Sequence, residues 1–332
     1  MKEWPVSSEH AKFHREAMVW DNHAGFEFDL KNDLNHIYRW RDSGVDYLSV
    51  NAAYDVKSWE LTISALSGYR AFVESDPDRL MLVTTASDID RARAGGQLAI
   101  GFDIEGMGAL NEDVGMVALY YELGVRQMLI AYNLNNAAGG GCHDEDVGLT
   151  PFGRAVIGEM NRVGMVVDCS HSSYRSSMEA MEISSAPVMF SHSNSRHLHD
   201  HERNIKDDQI LACGATGGVV GITGIGLFLD PDGESVDALV RHIRYTADLI
   251  GPDKVGIGLD YDISDDFLED TVAANTHFWP ESQYPSGMNI GFLAPEAFPK
   301  ITETLLDCGF SHSETLGILG GNFYRLARDV WR

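Results

Sequence analysis

Basic residues are scarce in this 332-residue chain. Twenty-five Lys and Arg stand against fifty Asp and Glu, a formal net charge of −25 at pH 7. Phosphate backbones must be met by a basic face, so nucleic acid is excluded as a partner. The same charge would be repelled by anionic headgroups, and no run approaches the roughly eighteen apolar residues that cross a bilayer, so no membrane is expected either. The segment Met1 to Trp20 contains no apolar run of seven and Trp331-Arg332 ends no hydrophobic tail, so neither a conventional secretory leader nor a lipid anchor is expected. Cysteine is sparse. Cys142, Cys169, Cys213 and Cys308 form no CxxC pair and read as buried thiols rather than disulfides or a zinc knuckle, and the expected compartment is cytoplasmic. No linker rich in Pro or Ser divides the chain, so residues 1–332 are expected to form a single domain.

Hydrophobic content of 44% and charged content of 23% are those of a globular protein. Eight short apolar runs recur along it: 17–21, 47–51, 98–105, 127–132, 165–171, 187–192, 218–223 and 255–260. Between them lie stretches with apolar residues three and four apart, such as Gly153 to Arg162, Tyr174 to Ser184 and Ser235 to Ile250, the spacing of amphipathic helices. Strand–helix alternation repeated eight times predicts an α/β fold with a parallel sheet closed into a (β/α)8 TIM-like barrel. An open doubly wound sheet is the runner-up, and its dinucleotide-binding form lacks the GxGxxG that should follow the first strand. After the eighth run the composition shifts. Residues about 272–295, dense in aromatics, Pro and Gly, read either as a long loop over the barrel mouth or as a packed surface loop.

What ends each run carries the chemistry. Asp21 and His23 end the first, Glu105 the third, His171 the fifth, His192 the sixth and Asp260 the eighth. A parallel barrel places all these ends on one rim. Three His and several carboxylates in one cup form a mixed N/O donor set suited to Zn²⁺ and related ions. A single His at a strand end is more often a hydrogen-bonded core residue; three such ends together with Glu105 favour a metal. His197, His199 and His201 follow no strand and read as loop residues.

The segments Asp103-Ile104-Glu105-Gly106, Gly148-Leu149-Thr150-Pro151-Phe152-Gly153, Asp168-Cys169-Ser170-His171, Phe190-Ser191-His192-Ser193, Arg203-Asn204 and Gly256-Ile257-Gly258-Leu259-Asp260-Tyr261-Asp262 resemble the membrane dipeptidase (renal dipeptidase) family of metallopeptidases, peptidase family M19. The resemblance runs from Asp21 almost to the C-terminus. It implies a barrel with a binuclear zinc centre that hydrolyses dipeptides, with tolerance of a C-terminal D-residue. By the same resemblance Glu105 bridges the metals, His171 and His192 hold one of them, and His23 belongs to the other. Arg203 matches a substrate-binding Arg and Asp260 an acid beside the reactive water; Asp262, two residues on, shares the strand face of Asp260 and is expected to support it. A homodimer is the family's habit.

Two positions depart from that pattern. Gly25 stands where a second Asp ligand is expected, which leaves His23 and the shared Glu105 as matched ligands unless Asp21 compensates. One firmly held zinc at Glu105, His171 and His192 is therefore expected, with a weaker second near His23. Tyr132 stands where the family presents a His on the fourth strand. Its phenol can serve as substrate-binding and catalytic donor to a developing oxyanion, or it is a satisfied core Tyr. The expected function is hydrolysis of a dipeptide, a small-molecule substrate, by metal-activated water. The alternative is a specialised amidohydrolase or related metal-dependent enzyme acting on an N-acyl or N-substituted amino acid or a biosynthetic intermediate. A non-catalytic metal-binding scaffold is the weakest reading.

Overall fold

The computed structural model describes residues 3–25, 33–262, 271–285 and 290–332. Helices form where the apolar spacing predicts them, and local chemistry sets their ends. The helix Pro151–Val163 starts with Pro at its first position, with the Thr150 hydroxyl accepting from Gly153 N, and stops at Gly164, whose φ of 91° suits glycine. Ser173 and Ser235 cap Tyr174–Ile183 and Val236–Ile250 in the same way. None of the described helices is long and apolar enough to cross a membrane.

All eight expected strands are present in one parallel sheet, and two short strands were not foreseen. In chain order they are β1 (Trp20–Gly25), β2 (Tyr47–Tyr54), β3 (Leu80–Leu82), β4 (Leu98–Glu105), β5 (Val125–Leu129), β6 (Val166–Asp168), β7 (Met189–Phe190), β8 (Val219–Ile222), β9 (Val255–Ile257) and β10 (Tyr261–Asp262). β3 fills the lower part of the β4 edge that β5 takes higher up, Leu80 pairing with Leu98 and Val125 with Phe102. β10 follows β9 after three residues and pairs with β1, Ala24 opposite Tyr261, which returns the sheet to its first strand. The first strand begins at Trp20, later than its apolar run, because Ala17 still caps the helix Ser8–Glu16, and it takes in the polar triplet Asp21-Asn22-His23.

Two layers of apolar packing flank the sheet. Inside it, Trp20, Tyr47, Ala99, Val166, Met189 and Val219 from successive strands pack against Phe323 and Leu326 of the C-terminal helix Asn322–Val330. Gly256 is required there: a Cβ would stand 2.3 Å from the Phe323 ring. The lower end of the barrel is thus plugged with side chains, and chemistry is confined to the opposite rim. Outside, β-branched and aliphatic residues pack against the helices. Of the four free thiols, Cys169 and Cys213 are buried as expected, whereas Cys308 is exposed.

One buried histidine makes stability depend on pH. His242 is fully buried on the helix Val236–Ile250; its Nδ1 accepts from Ser195 N (3.1 Å) and its Nε2 donates to Leu229 O (2.9 Å). Burial pushes its pKa from 6.5 down to about 4. The unfolded chain therefore takes up this proton first as pH falls, so the stabilisation is present above pH 6.5 and is lost between pH 6.5 and 4. The full difference is about 3 kcal/mol, of which about 2 is gone by pH 5. Urea midpoints at pH 7 and pH 5 should fall further in the parent chain than in His242→Gln; equal falls would contradict the assignment.

Candidate metal centre and active site

The strand ends converge as the parallel topology requires. Glu105 closes β4; His171 and His192 lie three and two residues beyond β6 and β7; Asp260 lies between β9 and β10; His23 projects from β1. Glu105 Oε1 stands 3.3 Å from His171 Nε2, 3.3 Å from His192 Nε2 and 3.6 Å from His23 Nε2. The Nε2 atoms of His171 and His192 are 3.1 Å apart. Asp260 Oδ1 lies 3.4 Å from His23 Nε2, and Asp260 Oδ2 lies 3.8 Å from His192 Nε2. His23 and His192 stack with ring centroids 3.9 Å apart.

The orientation of each imidazole is fixed from behind. Asn133 Nδ2 donates to Phe278 O, so its Oδ1 faces His171 and accepts from Nδ1 at 2.6 Å. That places the proton on Nδ1 and leaves a lone pair on Nε2, directed at Glu105 and His192. His192 Nδ1 lies 2.6 Å from Ser191 Oγ. Behind His23, Nδ1 faces Asp103 Oδ1 at 3.1 Å, and Asp103 is itself held by Ser49 Oγ and Asn51 Nδ2. Of the five non-glycine residues with positive φ among the described residues, Asn133, His171 and Asp260 belong to this rim, with φ of 58°, 59° and 58°. Such backbone costs energy and persists where its surroundings impose it.

These groups fit a divalent cation. Four ligands about 2.0 Å from a tetrahedral zinc lie about 3.3 Å from one another, which is the spacing among Glu105, His171 and His192. Glu105 Oε1 is a buried carboxylate oxygen with no hydrogen-bond donor, although three imidazoles surround it. Burial raises the Glu105 pKa well above the carboxylate range, against the pull of His23. Burial likewise holds His171 and His192 well below the usual imidazole value, in the neutral form that ligates metals. For His23 burial also works against the charged form, but Asp103 and Glu105 outweigh it, and its pKa lies well above 6.5. His23, His192 and Asp260 form a second cluster beside the first, sharing His192.

Three expectations are refined here. Asp21 is not available as a ligand: its Oδ2 accepts from Trp40 Nε1 (2.7 Å) and its Oδ1 from Leu259 N (2.8 Å), tying β1 to the chain before Asp260. Burial raises its pKa to about 7. The carboxylate beside His23 is Asp260, while Asp262 packs against Gly25, where a Cβ would stand 3.2 Å from Asp262 Oδ2. Arg203 is not paired with a surface acid. It is buried, with Nη2 donating to His192 O and Nη1 to Ser193 Oγ, and its Nε has no partner. Tyr132 stacks on His171 with centroids 4.3 Å apart. His197, His199 and His201 stand apart from the cluster, on Tyr245, Leu227 O and Gln283 O respectively.

A cavity of about 90 Å³ opens above the cluster, and His23, Glu105, His171 and Asp260 form its base. Val272, Trp279 and Tyr284 line it from the expected mouth segment, of which residues 286–289 lie outside the described residues. Asp103, Asn133 and the wall residues Tyr54 and Phe228 are the positions at this rim that sequence reasoning did not single out.

Residues 37–276 match the sequence model of the membrane dipeptidase family, peptidase family M19. The chain belongs to that family. Among relatives within it, dipeptidase verJ of Clonostachys rogersoniana is 32% identical over 216 residues, 64% of this chain and 55% of that protein. Dipeptidase aclJ of Aspergillus oryzae is 29% identical over 262 residues, 76% of this chain and 57% of that protein. The chain thus spans about half the length of the curated relatives it matches. In fold it is similar to the crystal structure of an amidohydrolase from Pseudomonas aeruginosa, with 27% identity and a TM-score of 0.87 over 97% of this chain and 99% of that one.

Proposed function

We propose that the protein is a zinc-dependent dipeptidase in which Glu105, His171 and His192 hold one tightly bound zinc, with a weaker second site near His23. The observation that carries this reading is the orphaned Glu105 Oε1 set at ligand spacing from two imidazole lone pairs. A divalent cation supplies Lewis-acid polarisation of the amide carbonyl and acidifies water from a pKa of about 15.7 to around 7. The remaining work falls to the chain. Asp260 takes a proton from the attacking water and delivers it to the amine nitrogen as the C–N bond breaks. Tyr132, beside His171, donates its hydroxyl to the carbonyl oxygen as negative charge develops there. Arg203, a buried cation behind His192 with no carboxylate within ion-pair distance among the described residues, draws the substrate carboxylate toward the base of the cavity. The apolar walls exclude bulk water from the reaction.

A second reading, an amidohydrolase for N-acyl or N-substituted amino acids, is favoured by one observation: the cavity walls at Ile225, Phe228, Trp279 and Phe292 offer carbon, which suits an acyl group better than a free ammonium. One experiment separates them. Chelator-treated protein should hydrolyse neither class, and Zn²⁺ should restore turnover of L,L- or L,D-dipeptides. Restoration confined to N-acyl amino acids would replace the first reading by the second, and metal-independent turnover would contradict both.

A further inference from the structure

Above the donor cluster lies an apolar assembly separate from both layers of the barrel core. Ile225, Phe228, Trp279 and Tyr284 are buried in it, with Tyr54 and Tyr132 packed alongside. The rings form a connected corner: Tyr54 to Tyr132 is 5.3 Å between centroids, Tyr132 to Trp279 is 5.8 Å and Tyr54 to Trp279 is 6.3 Å. These are the separations of edge and tilted aromatic contacts, so the corner is packed rather than loose. Through Tyr132 it rests directly on His171. Across the cavity the Tyr284 hydroxyl is bound to His143 Nε2 at 3.0 Å, which turns its ring toward the interior. The ionisable side chains lining the space are the imidazoles of His23 and His171 and the carboxyls of Glu105, Asp260 and Asp262, apart from the tyrosine phenols. The floor is therefore polar and fitted to the reacting amide, while the walls offer carbon.

We infer, on the basis of the dipeptidase reading, that the substrate carries a bulky apolar side chain, aromatic or branched aliphatic, next to the scissile bond and seated against Tyr54, Tyr132 and Trp279. A methyl group would leave this corner mostly unfilled, whereas a benzyl or isobutyl group would remove apolar area from water on both partners. Filling such a wall raises kcat/KM by roughly 10- to 100-fold over the alanyl counterpart. Trp279 and Tyr54 are thus specificity-determining residues.

The test uses the full chain loaded with Zn²⁺ and compares kcat/KM for L-alanyl-L-alanine, L-phenylalanyl-L-alanine and L-alanyl-L-phenylalanine. At least one phenylalanyl substrate should exceed the alanyl one by roughly 10-fold or more, and the ratio should fall toward one in Trp279→Ala and, should that variant fail to fold, in Tyr54→Ala. A parent ratio near one, or below it, overturns the inference and leaves the dipeptidase reading standing. Calorimetric binding of L-phenylalanyl-L-phenylalanine and L-alanyl-L-alanine to metal-free protein gives an independent arm. Tighter binding of the former without turnover of any dipeptide supports the inference and sinks the dipeptidase reading. Equal binding, or none of either, overturns it.

Discussion

Glu105→Gln should abolish tight zinc binding and lower dipeptide hydrolysis by on the order of 10³-fold or more. The amide is nearly isosteric but carries no charge, so the anion that bridges three imidazoles is lost while the packing is kept. Glu105 is buried and its Oε1 lacks any donor. Without metal, that carboxylate is a cost to the fold, because its pKa is raised by burial. The metal-free variant should therefore melt no lower than the metal-free parent. Zinc content by mass spectrometry, kcat/KM and thermal midpoint together check the assignment. A variant that keeps its zinc and its activity would show that Glu105 is only a core acid, and one that simply unfolds would show that its role is structural.

Asp260→Asn should lower kcat by roughly 10²- to 10⁴-fold, the span typical of a lost general base, while the tight zinc at Glu105, His171 and His192 is retained. The geometry makes this informative, since Asp260 stands 3.4 Å from His23 Nε2 and can act as proton carrier or as ligand of a second cation. A titration that separates tight from weak zinc binding resolves the two. Loss of the weaker equivalent alone, with the fall in kcat, fits the proposed arrangement. Loss of the tight equivalent would move Asp260 into the principal metal site, and unchanged kcat would remove it from the chemistry.

The rim was legible because its information is positional. In a parallel barrel every strand ends on the same face, so Glu105, His171, His192 and Asp260 could be grouped without knowing any side-chain contact. Asp103 was equally within reach, since residues two apart on a strand share a face and Asp103 precedes Glu105 by two. Asn133 was not. Its left-handed backbone, which aims Oδ1 at His171, follows from tertiary packing, although Asn is among the residues that tolerate it. Asp21 misled for a related reason: facing the same side as His23 says nothing of the Trp40 and Leu259 donors that occupy it. β3 escaped notice because Leu80-Met81-Leu82 is too short for a periodic signal. The segment that supplies Trp279 and Tyr284 was expected at the mouth, but the whole wall could not be assembled from sequence. Tyr54 ends β2, Phe228 follows β8 and Trp279 lies some twenty residues beyond β9; only folding brings them to one cavity.

The most direct test of the central claim is anomalous diffraction at the zinc edge from crystals of the full chain equilibrated with Zn²⁺. The account predicts a strong peak about 2.0–2.2 Å from a Glu105 carboxylate oxygen, His171 Nε2 and His192 Nε2 together. A zinc peak elsewhere, or none above those three side chains, would contradict it.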